Sequence, residues 1–266
     1  MSISPHPKHR NRDLLVIPTF NCAPQIGGLI EALAPVANFW GEIWFVDNGS
    51  TDGTVEVMLK KLDFFPIHPN PSKVFINSEN IGLGGTHKIV FKRAIEENFA
   101  TLTIFHGDHQ AIFEDAVSIL SIARSKPDTF ILGSRFSRSS KLVGYSRLRT
   151  IFNYSMNTAY SVLLRRRISD LGSGLNTFPV RSLQNLNHNN LPNDLTFNIE
   201  FLKWLIIEKK GIIWHPITWI ETDQISNVNI FSQIFKTLKL AILPFGLMGS
   251  QIPEGFYQRQ VGSHEN

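Results

Sequence analysis

The strongest constraint on the fold is a regular alternation of short apolar runs and amphipathic helical patterns over the first half of the chain. The apolar runs that predict strands are Leu14–Ile17, Ile43–Val46, Val74–Ile76, Leu102–Phe105 and Phe130–Gly133. The helical patterns between them are a segment opened by Pro24 with Ile26, Leu29, Ile30 and Leu33 on one face, Thr51–Leu62, Gly84–Asn98 and Glu114–Arg124. Four strand–helix pairs with short connectors predict an α/β fold, with a mostly parallel sheet and helices on both of its faces.

The alternation fades after residue 135. We expect helices over Thr150–Leu164 and Asn198–Lys209, a strand over Ile212–Ile220 and a further helix over 226–248. The predicted organisation is a flexible tail (1–12), one α/β domain (13–225), and a helical C-terminal extension with a tail (226–266).

Composition excludes several classes of protein. With 42% hydrophobic and 18% charged residues the chain is not disordered, and a net charge of +4 is too small to predict nucleic-acid binding. The single Cys22 excludes a disulfide framework and a cysteine-based zinc site. We find no secretory signal, and the apolar stretch Leu240–Met248 is interrupted and too short to cross a bilayer. We therefore expect a cytoplasmic protein, either soluble or peripheral on the cytoplasmic face of the membrane.

Polar clusters follow the predicted strands, where ligands bind in parallel sheets. They are Thr19–Asn21, Asp47–Ser50, Asn80–Gly82 and Gly107–Gln110. The residues around Asp47 and Asn48 suit a nucleotide cradle, in which the carboxylate or amide contacts a base or ribose, and equally a turn with a helix cap. The glycine-rich loop from Asn80 to Gly85 could bring its backbone to a phosphate at a helix N-terminus.

Asp108 is the candidate metal ligand, because Mg²⁺ or Mn²⁺ takes one or two carboxylates together with substrate phosphates and water. His106 and His109 flank it, either as further ligands or as ordinary hydrogen-bonded histidines.

Residues 135–167 contain eight basic side chains and no acidic one. Phosphate groups or anionic lipid headgroups are natural partners for such a segment, and a solvated surface is the alternative. The apolar residues interleaved from Ile151 to Leu163 suit a helix at a membrane interface or an ordinary core face.

These motifs, in this order, resemble the family 2 glycosyltransferases with the GT-A fold, over about Leu14 to Asn229. The matching elements are Val16–Asn21, Val46–Thr54, Asn80–Gly82, Gly107–Gln110, Gly133–Arg135, Asp170–Gly174 and His215–Trp219. Within the family the chain is most similar to the dolichol- and polyprenyl-phosphate sugar transferases, in which a Gly-Ser-Arg and an Asp-x-x-Ser-Gly element follow the metal motif.

The resemblance implies a role for each matching residue. Donor binding falls to Pro18, Thr19, Asn21, Asp47, Asn48, Gly82 and Gly107. Asp108 and Gln110, with His106, would hold Mg²⁺ or Mn²⁺, while Arg135 and Arg149 would bind phosphate groups. The chain departs from the family pattern in having Asn48 for a second Asp, His106 for the first Asp of the metal motif, and no basic residue within 221–227.

The predicted reaction is transfer of a sugar from a nucleotide-sugar donor, with inversion, to a polyprenyl phosphate, which needs no catalytic base. The alternative is transfer to a saccharide hydroxyl in surface-polysaccharide synthesis, for which Glu200 or Asp194 would be the base. Two further hypotheses are a non-catalytic nucleotide-sugar-binding scaffold with a degraded metal site and a nucleotidyltransferase. An anionic membrane surface or a membrane protein is a further expected partner; nucleic acid is not.

Overall fold

The fold is built on one twisted sheet between two groups of helices. The structure, a computed structural model, describes residues 12–64, 72–221, 243–253 and 256–259. Its strands are β1 (Asp13–Thr19), β2 (Glu42–Asp47), β3 (Ser72–Asn77), β4 (Thr101–Phe105), β5 (Thr129–Ser134), β6 (Lys141–Val143), β7 (Leu175–Pro179), β8 (Gly211–Pro216), β9 (Thr218–Ile220) and β10 (Phe256–Arg259). Its α-helices are α1 (Ala23–Leu33), α2 (Thr54–Phe64), α3 (Gly82–Glu96), α4 (Phe113–Ser125), α5 (Arg147–Leu163), α6 (Val180–Leu183) and α7 (Phe197–Ile207).

The main sheet has the strand order β10-β3-β2-β1-β4-β7-β5-β8. Strands β3, β2, β1 and β4 run parallel, as do β5 and β8, while β7 is antiparallel to both of its neighbours and β10 is antiparallel to β3. A small parallel pair, β6 and β9, lies beside the main sheet. The predicted mostly parallel α/β fold is confirmed.

Both faces of the sheet are buried, as the continuous apolar runs of a parallel sheet require. In β1, Leu14 and Val16 contribute to one core together with α3, α5 and α7. Leu15 and Ile17 contribute to a second core, on the other face, with α1, α2 and α4. The buried residues of α1 are the four predicted from its spacing, and a proline stands in its first turn.

The structure differs from the sequence prediction mainly in the second half of the chain. The strand β7 is absent from that prediction, and the predicted strand Ile212–Ile220 is two strands, β8 in the main sheet and β9 in the small one. Of the helix expected over 226–248, residues 226–242 lie outside the described residues. The remaining part is not helical, because residues 244–249 form turns. Residues 256–259, predicted as extension and tail, pair with β3.

Two buried charged side chains attach residues 243–251 to the domain. Lys203 donates to the Leu243 carbonyl at 2.9 Å, and Lys88 donates to the carbonyls of Ser250 and Gln251 at 2.6 and 3.2 Å. Among the described residues, no helix is long and apolar enough to cross a bilayer.

Candidate active site

Polar side chains join the loops that follow β1 and β2. Thr19 Oγ1 donates to Asp47 Oδ1 at 3.1 Å, and the Ser50 backbone N–H donates to Asp47 Oδ2 at 2.8 Å. The Asn21 backbone N–H in turn donates to Ser50 Oγ at 2.9 Å. The Asp47 side chain is completely buried, and its carboxylate links these two loops through the hydrogen bonds that it accepts.

Asn48 extends this connection to the loop after β3. Its Oδ1 accepts from Asn77 Nδ2 and from the Ile81 backbone N–H, both at 3.0 Å, and its Nδ2 donates to Asn80 Oδ1 at 2.9 Å. The Gly82 N–H donates to that same Asn80 oxygen at 2.8 Å. An aspartate at position 48 could not donate to Asn80 Oδ1. The neighbouring residues therefore suit the asparagine that this chain has in place of the family's second Asp.

Two glycines allow the close approaches on which the loop cluster depends. Gly82 has φ +78°, and a Cβ there would stand 2.2 Å from the Asn193 carbonyl oxygen. The Gly107 N–H donates to the Pro18 carbonyl at 2.9 Å, and a Cβ on Gly107 would lie 2.6 Å from Thr19 Cγ2. The seven residues predicted to bind the donor thus belong to one cluster at the carboxyl ends of β1, β2, β3 and β4. Their contacts with a donor remain a prediction.

The loop after β4 carries the predicted metal residues. The Gln110 backbone N–H donates to Asp108 Oδ1 at 3.3 Å, and the His106 backbone N–H donates to the Gly174 carbonyl at 2.9 Å. Burial raises the pKa of Asp108 to about 6, although the Arg135 charge opposes that rise. Burial and the same arginine lower the pKa of His106 to about 4, so its imidazole is neutral near pH 7.

These residues fit a divalent cation only if the substrate supplies most of its ligands. No group of three or more His, Cys, Asp or Glu side chains is arranged to hold a metal ion in the part of the chain that the structure describes. One carboxylate from Asp108, with a neutral His106 nitrogen or the Gln110 amide oxygen, matches a site completed by diphosphate oxygens and water.

Arg135 lies beside this loop in a strong ion pair with Asp170. Its Nε and Nη2 donate to the two Asp170 carboxylate oxygens at 2.8 and 2.7 Å, and Nη2 also donates to the Gly172 carbonyl at 2.8 Å. The guanidinium carbon lies 5.2 Å from the ring centroids of both Phe136 and Trp219. Nη1, with two N–H donors, makes no hydrogen bond to a described residue. The cation is therefore rigidly positioned.

Arg149 lies next to the loop that carries Gln110, because its partner Glu221 follows Ile220, whose N–H donates to the Gln110 carbonyl at 2.7 Å. Arg149 pairs with Glu221 and lies over the ring of Tyr145, with its carbon 4.9 Å from the ring centroid. Glu200 is completely buried; its Oε1 accepts from Lys203 at 2.6 Å and its Oε2 from the Gly246 N–H at 3.1 Å. These contacts indicate structural ion pairs. The phosphate-binding role of Arg149 and the base role of Glu200 stay predictions.

Two site residues were missed by the sequence reasoning. His87 of α3 faces a small cavity between the sheet, α3 and α7 that Asp170, Ser173 and Asn198 also line. Its ring centroid is 5.9 Å from that of His106, and burial together with that neighbour lowers its pKa to about 3. Asn77 Oδ1 is buried without a hydrogen-bond partner among the described residues. No local motif marks either residue, because each reaches the site only through the packing of α3 or the end of β3.

Solved structures of glycosyltransferases share this fold at low identity. Mannosyl-3-phosphoglycerate synthase from Rubrobacter xylanophilus aligns with a TM-score of 0.59 and 16% identity over 86% of this chain and 72% of its own. Glucosyl-3-phosphoglycerate synthase from Mycobacterium tuberculosis, in complex with Mn²⁺, UDP-glucose and phosphoglyceric acid, aligns at 0.58 and 16% over 87% and 80%. A Pyrobaculum calidifontis mannosyltransferase, in complex with GDP-mannose and Mn²⁺, aligns at 0.51 and 16% over 85% and 61%. These similarities show the fold.

The family assignment rests on the sequence of the α/β domain. No curated protein sequence matches the chain. Residues 14–186, more than half of the chain, match the family described as glycosyl transferase family 2. The matched segment includes the loops that follow β1, β2 and β3, the loop around Asp108 and the Arg135–Asp170 pair. The chain therefore belongs to glycosyl transferase family 2.

Proposed function

We propose that this protein transfers a sugar from a nucleotide-sugar donor to a phosphate-bearing acceptor, with inversion at the anomeric carbon. The observation that carries the proposal is the convergence of Asp108 with the Asp170-bound Arg135 at the carboxyl edge of the sheet, beside the donor loops. The positive charge of Arg135 lies close enough to Asp108 and His106 to act on the pKa of both groups, in each case in the lowering direction.

The leaving diphosphate gains negative charge as the glycosidic bond breaks, so the site must offer positive charge there. Arg135 supplies a fixed cation whose position is set by Asp170, which favours stabilisation without reorganisation during the reaction. When bound, Mg²⁺ or Mn²⁺ would add Lewis-acid stabilisation, with Asp108 as its carboxylate ligand and His106 or Gln110 beside it. Asp108 would orient the donor phosphates through that ligation.

For the acceptor we propose a polyprenyl phosphate. A phosphate monoester is largely ionised near pH 7 and needs no base, which agrees with the contacts of the two candidate bases. Glu200 is occupied in a buried ion pair, and the exposed Asp194 accepts from the Thr196 N–H at 2.9 Å at the start of α7. Transfer to a saccharide hydroxyl is the alternative.

A donor-binding panel tests the first part of the proposal. Calorimetric titration with UDP- and GDP-sugars, with and without Mn²⁺, should show metal-dependent binding of one donor. Asp108→Asn should weaken that binding at least tenfold, while Asp128→Asn, a matched change at an exposed loop position, should leave it unchanged. Absence of binding under every condition would reject the proposed function. Donor binding that Mn²⁺ does not strengthen and Asp108→Asn does not weaken would favour the non-catalytic scaffold, a hypothesis motivated by His106 and Asn48.

Acceptor choice is tested by transfer of labelled sugar to polyprenyl phosphate and to saccharides. We expect product with the lipid phosphate, and near-normal turnover by Asp194→Asn. Glu200→Gln is compared at equal folded fraction, judged by circular dichroism, because it disturbs a buried pair. A large loss of kcat in folded Asp194→Asn, or product with saccharides alone, would count against the lipid phosphate.

A further inference from the structure

The outward face of α5 carries large apolar side chains that no described residue covers. Leu148, Ile151 and Val162 are 77%, 65% and 72% exposed. At 100° per residue these three lie within about 60° of arc, on the side opposite the buried Met156 and Tyr160. This set of three is called the α5 apolar stripe below.

The hydroxyl groups on this face are turned inward. Ser155 Oγ donates to the Ile151 carbonyl at 3.0 Å, and Thr158 Oγ1 donates to the Tyr154 carbonyl at 2.8 Å. A hydroxyl bound to the carbonyl four residues earlier has used its donor within the helix. The helix face around the stripe is therefore less polar than the residues Ser155 and Thr158 alone would indicate.

Cations surround the stripe and acidic residues are absent from it. Arg147 begins the helix, and the exposed Arg165, Arg166 and Arg167 follow its end, with no ion pair to any described residue. Arg138 and Lys141, which precede the helix, are also exposed. Between residues 135 and 167 there is no Asp or Glu.

We propose that the α5 apolar stripe and its flanking arginines dock this protein on an anionic lipid bilayer. A helix with an apolar face and cationic flanks lies in the interface, with its apolar side chains at the boundary between headgroups and acyl chains. The 17-residue helix, about 25 Å long, would lie parallel to the surface.

Charge complementarity selects the bilayer over the other occupants of this face. Residues 222–242 contain Lys236 and Lys239 against one acidic residue, Asp223, so that segment does not balance the arginines. A second copy of the chain would bring the same uncompensated cations together. Anionic headgroups supply the negative charge that both of these lack.

The inner face of α5 connects the docking surface to the active site. Asn157 is buried; its Nδ2 donates to the Ser169 carbonyl at 2.9 Å, and its Oδ1 accepts from the Leu171 N–H at 3.2 Å. These bonds hold the two residues on either side of Asp170, the partner of Arg135. Docking through α5 would thus bring the Arg135–Asp170 pair close to the membrane surface. The lipid acceptor of the proposed function would be found at that surface.

Vesicle co-sedimentation of the full chain tests this inference without donor or acceptor, so its outcome is independent of the proposed reaction. The probes are phosphatidylcholine vesicles with and without about 30% phosphatidylglycerol. We expect binding to the anionic vesicles that falls with added salt. Ile151→Ser combined with Val162→Ser should weaken binding about tenfold, and Arg165, Arg166 and Arg167 changed together to Gln should weaken it about a hundredfold.

Two controls match these variants. Phe64→Ser removes an exposed apolar side chain from α2, and Lys60, Lys126 and Lys209 changed together to Gln remove the same charge from other exposed positions. Both should bind like the unaltered chain. Failure of the unaltered chain to bind anionic vesicles, equal binding to neutral ones, or equal losses in controls and α5 variants would overturn the inference. So would a dimer that Ile151→Ser with Val162→Ser dissociates while vesicle binding stays unchanged, since the stripe would then be a self-association surface.

Discussion

Replacing Asp170 by Asn should destabilise the protein strongly, because Asp170 is the centre of a buried hydrogen-bonded ion pair. Its side chain is 1% exposed and that of Arg135 is 15% exposed. The carboxylate accepts four hydrogen bonds: from Arg135 N, Nε and Nη2 at 2.9, 2.8 and 2.7 Å, and from Gly172 N at 3.1 Å. The amide retains one acceptor oxygen and leaves the guanidinium without its counter-charge.

Removing one partner of such a pair costs about 3–5 kcal/mol, a large part of the roughly 5–15 kcal/mol that stabilises a typical domain. Urea unfolding followed by tryptophan fluorescence measures this loss, with Asp128→Asn as the exposed control. Where enough folded Asp170→Asn remains, its donor affinity should fall as well, because Arg135 is no longer held in place.

A double-mutant cycle separates the pair from the packing around it. Arg135→Gln combined with Asp170→Asn should cost less than the sum of the two single changes, by about 0.5–3 kcal/mol, since the double variant leaves neither charge unpaired. A loss below about 1 kcal/mol for Asp170→Asn alone, or additive losses in the cycle, would refute the reasoning.

Three further predictions concern stability, each measured by urea unfolding. Gly84→Ala should lower the unfolding free energy by more than about 2 kcal/mol, because its Cβ would stand 2.2 Å from the Pro192 carbonyl oxygen. Gly27→Ala, in an open part of α1, should raise it by about 0.5–1 kcal/mol. The reverse order would contradict the packing. Burial lowers the pKa of Lys88 from 10.5 to about 8. Between pH 8 and 10.5 the unfolded state therefore binds more protons than the folded state, and the unfolding free energy of the unaltered protein should rise with pH relative to that of Lys88→Met. Parallel pH profiles of the two proteins would refute this. Glu200→Gln should cost about 3–5 kcal/mol by removing the carboxylate that faces the buried Lys203 ammonium, and a neutral effect would show that the pair is not structural.

Local patterns predicted most of the first half of the fold. The spacing of Ile26, Leu29, Ile30 and Leu33 identified the buried face of α1, because such a face repeats every three to four residues. Strand β7 was missed because Leu175–Pro179 is not a continuous apolar run: Asn176 and Thr177 interrupt it. Its place between β4 and β5 comes from pairing with strands distant in sequence.

The candidate site residues also divide into those that local patterns placed and those whose partners lie far away in the sequence. The sequence placed the polar loops after β1, β2, β3 and β4 together because they follow strands, and strand ends meet at one edge of a parallel sheet; that they bind a donor stays a prediction. Glu200 looked like a candidate base because its sequence neighbours give no sign that Lys203 and Gly246 enclose it. Arg135 was predicted to bind phosphate, but only the folded chain shows that Asp170, 35 residues later, already holds it.

The sequence by itself determined the α/β class, the loop positions at the sheet edge and the excess of positive charge over residues 135–167. All three follow from residue type and short-range spacing. The tertiary structure decided which charges are neutralised: Arg135 and Arg149 each face a carboxylate, whereas Arg165, Arg166 and Arg167 are exposed and have no ion pair to any described residue. That distinction depends on which carboxylates the fold brings within bonding distance, and these lie tens of residues away along the chain.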